Sequence, residues 1–496
     1  MTTFTYSADP ASEIRAGVLL LPVFEGSEPG PGVREAGLAD TYAAARLTGK
    51  IGQNLLVTRR EGDRFRADAV LLIGAGPKQE LTVASMRRVL GRAASVARRF
   101  GTAATTFPQA FGARRAAGAV GAAAEGLALG AYRFGRYRTQ HEDDEPLESA
   151  AIVGAAKWDA KPMRAALNEA DATVDAVCWA RDLVNTPAAD LPPAAIADAA
   201  KSMAAEVGLA CKIWGERELE NGGFGGILGV GRGSANPPRM IELAYTGAGK
   251  RTPIALTGKG ITFDSGGLSI KDAKAMEGMK DDMGGAASIL ATMKALARLK
   301  PKINVIAAIP SSENMPSGTA QKPGDVIRHY GGKTSEVLNT DAEGRLILAD
   351  ALAYLAEQQP QLIIDTATLT GACVVALGTD IAGAFGNDAA LTRELVEAGA
   401  EVGEPIWELP LYRDYRRMID SSVADMKNIG ERYGGAIAAA LFLAEFVGDT
   451  PWVHLDIAGP AFSEKGNDLG PKGATGSPVR TLVRFALDRA AGAPAR

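Results

Sequence analysis

Residues 339–346 read NTDAEGRL, and the apolar run ILADAL follows them at residues 347–352. If the chain is extended here, the side chains of Asp341, Glu343 and Arg345 leave the same face of the strand. Two adjacent carboxylates repel each other, whereas a divalent cation binds oxygen ligands from both. A surface turn with a salt bridge explains the same residues, so the rest of the chain has to decide between the two interpretations.

The apolar run after this acidic stretch predicts the start of a buried helix. We expect Gly344 to let the backbone turn between the acidic stretch and that helix.

Length and composition point to a globular protein with more than one domain. The chain has 496 residues, 46% of them hydrophobic and 23% charged, which is typical of soluble proteins with two or three domains. The formal net charge of −4 gives no reason to expect nucleic acid or an anionic membrane as the main partner.

Cysteines and terminal signals bear on the cellular compartment. Cys178, Cys211 and Cys373 are too far apart in sequence to suggest a disulfide framework or a thiolate zinc site. The N-terminus lacks a basic segment before an apolar core, and no apolar run of about 18 residues occurs. We therefore expect a soluble, cytoplasmic protein.

Apolar runs alternate with Ala-rich stretches in the first third of the chain. Strands are expected at residues 17–24, 69–74 and 150–154, and helices at 83–99 and 115–132, which predicts an α/β domain. The turn Gly74-Ala75-Gly76 is followed by Pro77 and lacks the third glycine of a dinucleotide-binding fingerprint. The acidic stretch at 138–149 reads as a linker or a long surface loop.

A helix expected at residues 163–184 ends before Asn185-Thr186-Pro187, and Asp190 is placed to cap the helix that follows. We place the domain boundary here, with a smaller N-terminal α/β domain at 1–180 and a larger C-terminal domain at 181–496. Further apolar strands are expected at 240–245, 254–256, 303–309, 362–365, 381–384 and 453–457. They predict a larger domain with a mixed, largely parallel sheet covered by helices, whose ligand site lies beyond the carboxyl ends of the strands.

Residues 256–267, LTGKGITFDSGG, place Lys259 and Asp264 among glycines at the end of a strand. No GxxxxGK[ST] pattern is present, so a phosphate-binding loop is not indicated. The apolar residues Ile261 and Phe263 between these charges argue against a solvated loop. Lys271 follows closely and, by itself, reads as a surface lysine.

Residues 279–287, MKDDMGGAA, place Asp282 before a helix expected at 288–299. An aspartate at a helix start is often only an N-cap. The small residues that follow also allow another group to approach closely, so both interpretations stay open.

Together these stretches supply carboxylates and basic groups but no histidine ligands. His141, His329 and His454 form no HExxH pattern, and His454 reads as a hydrogen-bonded core residue of an apolar strand. There is no GxSxG elbow either. Oxygen ligands without histidine suit two bridged divalent cations, and hydrolysis is the natural chemistry of such a centre. The pooled residues are Lys259, Asp264, Lys271, Asp282, Asp341, Glu343 and Arg345.

Beyond spacing, these motifs carry a specific resemblance. The chain is similar to the leucyl aminopeptidase (cytosol aminopeptidase) family over residues 180–480. The matching motifs are RDLVNTP at 181–187, NPPR at 236–239, KGITFDSGG at 259–267, MKDDMGGAA at 279–287, ENMPSG at 313–318, PGDV at 323–326, NTDAEGRL at 339–346, TATLTGA at 366–372 and HLDIAG at 454–459.

The resemblance implies a ligand set and two catalytic positions. Its pattern makes Lys259, Asp264, Asp282, Asp341 and Glu343 the ligands of two divalent metal ions, with Asp264 and Glu343 bridging them. Mn²⁺, Zn²⁺ and Mg²⁺ all suit such ligands. Lys271 would polarise the scissile carbonyl, and Arg345 would hold a bicarbonate that acts as general base for a metal-bridging water. Lys259 binds a metal only as the neutral amine, which the field of the cation favours.

It also implies how a peptide substrate binds. The neutral amine of a free N-terminus would complete the coordination of one metal, which an acylated peptide could not do. Substrate-binding positions would be Met279, Asn339, Thr368, Leu369 and Gly371, with Met279 beside an apolar pocket that favours residues such as leucine. The chain departs from the family at 436–440, AIAAA, where a more polar run is usual. The family further implies peptide substrates and a homohexamer, whereas the charge and the lack of a long apolar run lead us to expect no membrane partner.

Two alternatives remain open. The first domain could bind nucleic acid in an accessory role, as the resemblance allows, although solvated helix faces explain the arginines at 87–99 and 133–138 more simply. A dinuclear phosphoesterase would use the same kind of metal centre. Turnover of a phosphate ester but not of an aminoacyl amide would favour this alternative.

Overall fold

The computed structural model describes residues 2–140 and 145–492. The chain divides into two compact units, one formed by Met1–Cys178 with Glu464–Gly473 and the other by Trp179–Ser463 with Ala474–Arg496. His141 and the centre of the acidic stretch predicted as a linker or loop lie outside the described residues. No helix in the described part of the chain is both long enough and apolar enough to cross a membrane.

The first unit is built on a seven-stranded sheet with helices beside it. The strand order is β1-β7-β6-β2-β5-β4, and β3 pairs with β2. The strands are β1 (Thr3–Ser7), β2 (Val18–Phe24), β3 (Glu28–Pro29), β4 (Asn54–Thr58), β5 (Ala69–Gly74), β6 (Thr102–Thr105) and β7 (Ser149–Val153), and the helices are α1 (Ala39–Ala44), α2 (Val83–Ala97) and α3 (Ala116–Ala131).

The central strand β2 is buried along its whole length because both faces of this sheet are covered. Val18 and Leu20 belong to a core packed with residues of α2 and α3, whereas Leu19 and Leu21 belong to a second core on the opposite face. This alternation follows from the two-residue period of a strand. It explains why β2 reads as a continuous apolar run rather than as an alternating one.

The long helix α4 (Ala160–Asn185) leads into the second unit. Its remaining helices are α5 (Pro193–Val207), α6 (Glu216–Gly222), α7 (Gly225–Gly231), α8 (Ala273–Met276), α9 (Gly284–Leu299), α10 (Gly344–Glu357), α11 (Gly371–Leu377), α12 (Ala389–Val402), α13 (Gly435–Ala444) and α14 (Val479–Ala491). The strands are β8 (Ala210–Trp214), β9 (Arg239–Thr246), β10 (Ile254–Gly258), β11 (Gly260–Asp264), β12 (Asn304–Asn314), β13 (Val326–Arg328), β14 (Thr334–Glu336), β15 (Ile363–Ala367), β16 (Ala382–Gly386), β17 (Ile406–Glu408), β18 (Met426–Lys427), β19 (Trp452–Asp456), β20 (Phe462–Ser463) and β21 (Gly473–Ala474).

The main sheet of the second unit has nine strands in the order β17-β16-β19-β15-β10-β12-β9-β8, with β11 paired to β12. The central strands β12, β10, β15 and β19 are parallel to one another, whereas β9 runs antiparallel to β12 and β16 runs antiparallel to β19. The predicted α/β class with a mixed, largely parallel sheet is therefore confirmed. The carboxyl ends of β10, β15 and β19 lie at one edge of this sheet, where a ligand site is expected.

Two local predictions are wrong. Residues 341–343 are not extended; they form a turn into α10, and Arg345 already lies in that helix. Asp190 does not cap α5, whose N-cap is Pro192. The argument against a solvated loop after Lys259 is confirmed, because these residues form β11 and Ile261 is buried in the core of the second unit.

Candidate active site

A cleft of about 480 Å³ collects every ionisable residue that the sequence singled out. Lys259 lies between β10 and β11, and Asp264 ends β11. Asp282 follows the short 3₁₀ turn Met279–Asp281, and Glu343 is the N-cap residue of α10. Four separate segments of the chain therefore bring these side chains to one point, which short-range spacing does not reveal. The cleft also contains Lys271, Asp341 and Arg345.

Lys259 is a buried ammonium group between two carboxylates. Its Nζ lies 2.7 Å from Asp282 Oδ1 and 2.8 Å from Glu343 Oε1, and it donates to the carbonyl oxygen of Thr368 at 3.0 Å. Burial by itself lowers the pKa of Lys259, but the negative charges of Asp282, Glu343 and the nearby Asp264 outweigh burial, so this pKa is raised. The group is held in its charged form by this ring of carboxylates.

Lys271 forms the second cationic contact of the cleft. Its Nζ lies 2.9 Å from Asp264 Oδ2 and 2.6 Å from Asp341 Oδ1, and only 15% of its side chain is exposed. Burial lowers the pKa of Lys271, but the two carboxylates raise it by more. The interpretation of Lys271 as a surface lysine is therefore wrong.

The carboxylates of the cleft are crowded and poorly solvated. Burial is the largest cause that raises the pKa of Asp282, of Asp341 and of Glu343, and the charge of Asp264 raises each of them further. Like charges this close oppose full ionisation, and each lysine offsets only part of the repulsion. Asp282 is not a simple helix cap either, because the N-cap residue of α9 is Met283.

The donor set fits divalent cations. Asp264, Asp341 and Glu343 each offer a carboxylate oxygen, and these oxygens all lie within 4.8 Å of one another. Asp282 Oδ2 and Glu343 Oε2 are buried and have no hydrogen-bond partner among the described residues. A buried, unpaired carboxylate oxygen is costly unless it binds a cation or a donor. Hard oxygen ligands of this kind suit Mn²⁺ or Mg²⁺ and are also accepted by Zn²⁺.

Arg345 points a partly unused guanidinium group towards the same cleft. Its Nη1 donates to the carbonyl oxygen of Asn428 at 2.9 Å, whereas its buried Nε has no hydrogen-bond partner within residues 2–140 and 145–492. Burial lowers the pKa of Arg345 to about 10, although the charges of Glu343 and Asp456 oppose that shift. A planar donor group with a free edge is suited to an oxyanion.

Glycines let the helices approach this centre. A Cβ on Gly285 would lie 2.7 Å from the backbone nitrogen of Lys259, and one on Gly258 would lie 2.9 Å from the nitrogen of Ala286. The prediction that the small residues of the MKDDMGGAA stretch allow close approach is confirmed. Gly344 has a different role from the one expected, because it makes room for Lys259 instead of allowing a turn.

The loop after β15 forms one wall of the cleft. Thr368 donates its hydroxyl to Asp282 Oδ1 at 2.8 Å. Asp456, at the end of β19, accepts hydrogen bonds from Leu369 N at 3.3 Å and from the Thr370 hydroxyl at 2.6 Å. We assigned no role to Asp456 from the sequence, although it lies inside the HLDIAG motif at the end of a buried strand.

All of the positions expected to bind substrate border the cleft: Met279, Asn339, Thr368, Leu369 and Gly371. Sequence reasoning missed several other lining residues, which include the small residues Ala458 and Ala461 and the charged residues Glu431 and Arg432. Only their tertiary position marks them as part of the site.

His454 lies below the site as a core residue. It is 1% exposed and forms a 2.6 Å hydrogen bond through Nδ1 with Asp365 Oδ1. Its interpretation as a hydrogen-bonded core histidine is confirmed.

Family models match both parts of the chain. Residues 178–483 match the catalytic domain of the cytosol aminopeptidase family, and residues 21–141 match the N-terminal domain of the same family. The chain therefore belongs to the cytosol aminopeptidase family, whose members are metal-dependent exopeptidases.

Individual relatives cover nearly the whole chain. A probable cytosol aminopeptidase of Streptomyces coelicolor is 43% identical over 518 residues, covering 99% of both chains. Another from Solibacter usitatus is 44% identical over 490 residues, covering 98% of this chain and 99% of the relative.

Two solved structures share this fold. The bottromycin maturation enzyme BotP in complex with Mn is 38% identical, with a TM-score of 0.86, and the match covers 96% of this chain and 100% of BotP. A mutant of tomato leucine aminopeptidase is 32% identical, with a TM-score of 0.88, and the match covers 98% of this chain and 96% of the tomato chain. The predicted family is thus confirmed.

Proposed function

We propose that this protein is a dinuclear metal-dependent aminopeptidase that removes apolar N-terminal residues such as leucine from peptides. The observation that carries the proposal is the group of Asp264, Asp341 and Glu343, whose oxygens lie within 4.8 Å of one another beside the buried Lys259 and the partly buried Lys271. The motif resemblance supports the number of metals, and the Mn complex of BotP supports Mn²⁺ as one suitable ion.

The residues that would hold the two ions are Lys259, Asp264, Asp282, Asp341 and Glu343. When bound, the ions supply a water of lowered pKa and charge stabilisation for the transition state of amide hydrolysis. Lys259 has to release its proton to serve as a ligand. The two unpaired carboxylate oxygens, Asp282 Oδ2 and Glu343 Oε2, are ready to accept a cation without breaking an existing hydrogen bond.

Lys271 is the group we assign to the scissile carbonyl. It carries a full positive charge at the cleft, and its raised pKa keeps that charge at neutral pH. An ammonium group in a poorly solvated site stabilises the oxyanion of a tetrahedral intermediate because its charge is already in position.

Arg345 is the group we assign to a second oxyanion, bicarbonate in the interpretation that the family resemblance supports. Its Nη1 is anchored on Asn428, which leaves Nε and the rest of the fork for a planar anion. A bicarbonate held there would accept the proton that the attacking water loses, and this would explain a hydrolase without a histidine base.

The apolar part of the cleft supports a preference for an apolar first residue. Met279, Ala458 and Ala461 line it, and small side chains leave space for the side chain of a substrate. Glu431 and Arg432 also line the cleft but bring charge, so we assign them to the part of the peptide that follows the scissile bond.

Hydrolysis of leucine p-nitroanilide by the EDTA-treated protein, before and after addition of Mn²⁺ or Zn²⁺, tests this proposal. We expect turnover only with metal, and Glu343→Gln should lose metal binding and turnover together. Glu404→Gln is the control, because Glu404 is also a buried glutamate, accepts hydrogen bonds from Thr481 and does not line the cleft. No turnover with any divalent metal, or a fully active Glu343→Gln, would contradict the proposal.

The family also supports three statements about the whole protein. We propose that it acts in the cytoplasm, that it assembles as a homohexamer, and that the N-terminal domain at 1–180 serves assembly or regulation while 181–496 carries catalysis. Light scattering coupled to size-exclusion chromatography tests the assembly, since a monomer in solution would contradict it.

A further inference from the structure

Asn428 lies behind the site and is fully buried. It follows the short strand β18, and its backbone N–H donates to Glu336 O at 2.9 Å, which extends the pairing of β18 with β14. Asn428 does not line the cleft, whereas the next residue, Ile429, does. The side chain of Asn428 therefore acts on the site only through other residues.

The Asn428 side chain uses its full hydrogen-bonding capacity on one loop. Its Oδ1 accepts from Leu338 N at 2.9 Å and from Asn339 N at 3.3 Å. Its Nδ2 donates to Asn339 O at 2.7 Å and to Ala342 O at 3.3 Å. An asparagine side chain has two donor hydrogens and two acceptor lone pairs, so all four are used. The partners also fix the orientation of the amide, because in a flipped side chain the NH₂ group would face the backbone N–H groups of Leu338 and Asn339.

This loop carries Asp341 and leads directly to Glu343. Its middle residue, Thr340, is held from the other side, where its hydroxyl donates to Gly266 O and its N–H donates to Ser269 Oγ. Asn428 holds the loop before and after Thr340, at Leu338, Asn339 and Ala342. Removal of the Asn428 side chain would leave four backbone groups of the loop without these partners, and the loop would lose its attachment to β18.

The backbone of Asn428 contacts Arg345, the second functional group. Its carbonyl oxygen accepts the 2.9 Å hydrogen bond from Arg345 Nη1. One residue thus fixes the loop of Asp341 through its side chain and the guanidinium of Arg345 through its main chain. The distance between these two groups depends on where Asn428 lies.

We propose that Asn428 is a positioning residue. It fixes the position of the Asp341 carboxylate relative to the Arg345 guanidinium, as metal binding and hydrolysis require. The inference rests on the proposed function, because it concerns the same site. Neighbours that orient metal ligands typically change metal affinity by about 10- to 100-fold when they are removed. A purely structural asparagine would change only stability.

The chain offers a matched control in Asn304. This residue is also buried, accepts a hydrogen bond from Ala248 N at 2.8 Å, and donates to the carbonyl oxygens of Gly249 and Arg251. It clamps a loop of the same unit that does not line the cleft. Asn304→Ala and Asn428→Ala therefore remove the same kind of clamp, and both should lower Tm.

The test compares wild type, Asn428→Ala and Asn304→Ala by calorimetric titration with Mn²⁺, by kcat and KM for leucine p-nitroanilide, and by Tm of the metal-free protein. We expect Asn428→Ala to bind Mn²⁺ about 10- to 100-fold more weakly and to lose kcat. Asn304→Ala should keep both within about two-fold, as expected for a clamp remote from the site. Asn428→Asp has the same size and keeps both accepted hydrogen bonds. If Asn428→Ala does not fold, Asn428→Asp is compared with Asn304→Ala instead.

Mn²⁺ affinity and kcat in the Asn428 variants that match those of Asn304→Ala would overturn the inference while leaving the proposed function intact. A wild-type protein that neither binds Mn²⁺ nor hydrolyses the substrate would instead overturn the proposed function, and the inference with it.

Discussion

The side chain of Lys259 occupies the space where Gly344 would carry a Cβ. A Cβ built on Gly344 would lie 2.6 Å from Lys259 Cδ and 2.8 Å from Lys259 Nζ. Gly344 is the first residue of α10, directly after Glu343, the partner of Lys259. The helix start and the lysine therefore fit together only because this residue has no side chain.

Gly344→Ala should weaken Mn²⁺ binding and lower kcat/KM by at least about 10-fold, because Lys259 has to move away from Glu343. Alanine is the better helix former by about 1 kcal/mol, so poor helix formation cannot explain such a loss. Mn²⁺ titration and steady-state kinetics measure the effect. Gly118→Ala is the control, since a Cβ at this exposed position of α3 meets nothing within 4 Å. Equal metal affinity in the two variants would argue against the close fit.

Arg345→Ala should keep its Mn²⁺ affinity but lower kcat by about 10²- to 10³-fold, as expected when a donor that stabilises an oxyanion is removed. Arg345→Lys should recover little of this loss, because an ammonium group lacks the planar fork. Metal titration alongside kcat separates this role from that of a ligand. Loss of metal by Arg345→Ala would show that the arginine holds the ligands in place instead.

Ala461→Met should shift the preference of the enzyme from large to small first residues. A Cβ on Gly284 would lie 3.4 Å from Ala461 Cβ and 3.7 Å from Thr368 Cγ2, so Ala461 lines the cleft beside the start of α9. A longer side chain there fills space needed by leucine. The ratio of kcat/KM for leucine to that for alanine p-nitroanilide should fall by about 10-fold or more. An unchanged ratio with unchanged Mn²⁺ affinity would place the side-chain pocket elsewhere.

The buried pair of His454 and Asp365 should make the free energy of unfolding depend on pH. Burial lowers the pKa of His454, but the carboxylate of Asp365, 2.6 Å away, outweighs burial and raises it above its usual value. A raised folded-state pKa means that the contribution is fully present below the unfolded pKa of about 6.5 and is lost as pH rises through the higher folded pKa. The free energy of unfolding should therefore fall across this window more steeply in wild type than in His454→Gln.

Denaturant unfolding of both proteins at several pH values between about 6 and 9 measures this difference, whose slope is at most about 1.4 kcal/mol per pH unit for one proton. Using the same metal-free buffer for both proteins cancels the other titrating groups. Parallel curves for wild type and His454→Gln would contradict the assigned direction of the pKa shift.

Much of the fold follows from local patterns. The apolar runs at β2, β5, β10 and β19 predicted buried strands, because a strand buried on both faces has a continuous run of apolar residues. The Ala-rich stretches predicted α2 and α3, because alanine has a high helix propensity. The stretch at 339–346 was harder to interpret. The two-residue spacing of Asp341, Glu343 and Arg345 suggested a strand. In the structure α10 begins at Gly344 and buries its apolar face, so Arg345 lies in the first turn of this helix.

Residue types alone indicated which side chains could make a metal centre, and the motifs identified the family to which the chain belongs. The folded structure was needed to show that Lys271 is paired inside the cleft, that Asp456 holds the loop after β15, and that Gly344 makes room for Lys259. Local patterns do not predict these contacts because the contacts join residues far apart in the chain. Close packing, hydrogen bonding and burial across the sheet edge arise only when the strands have assembled, and no short stretch of sequence encodes them.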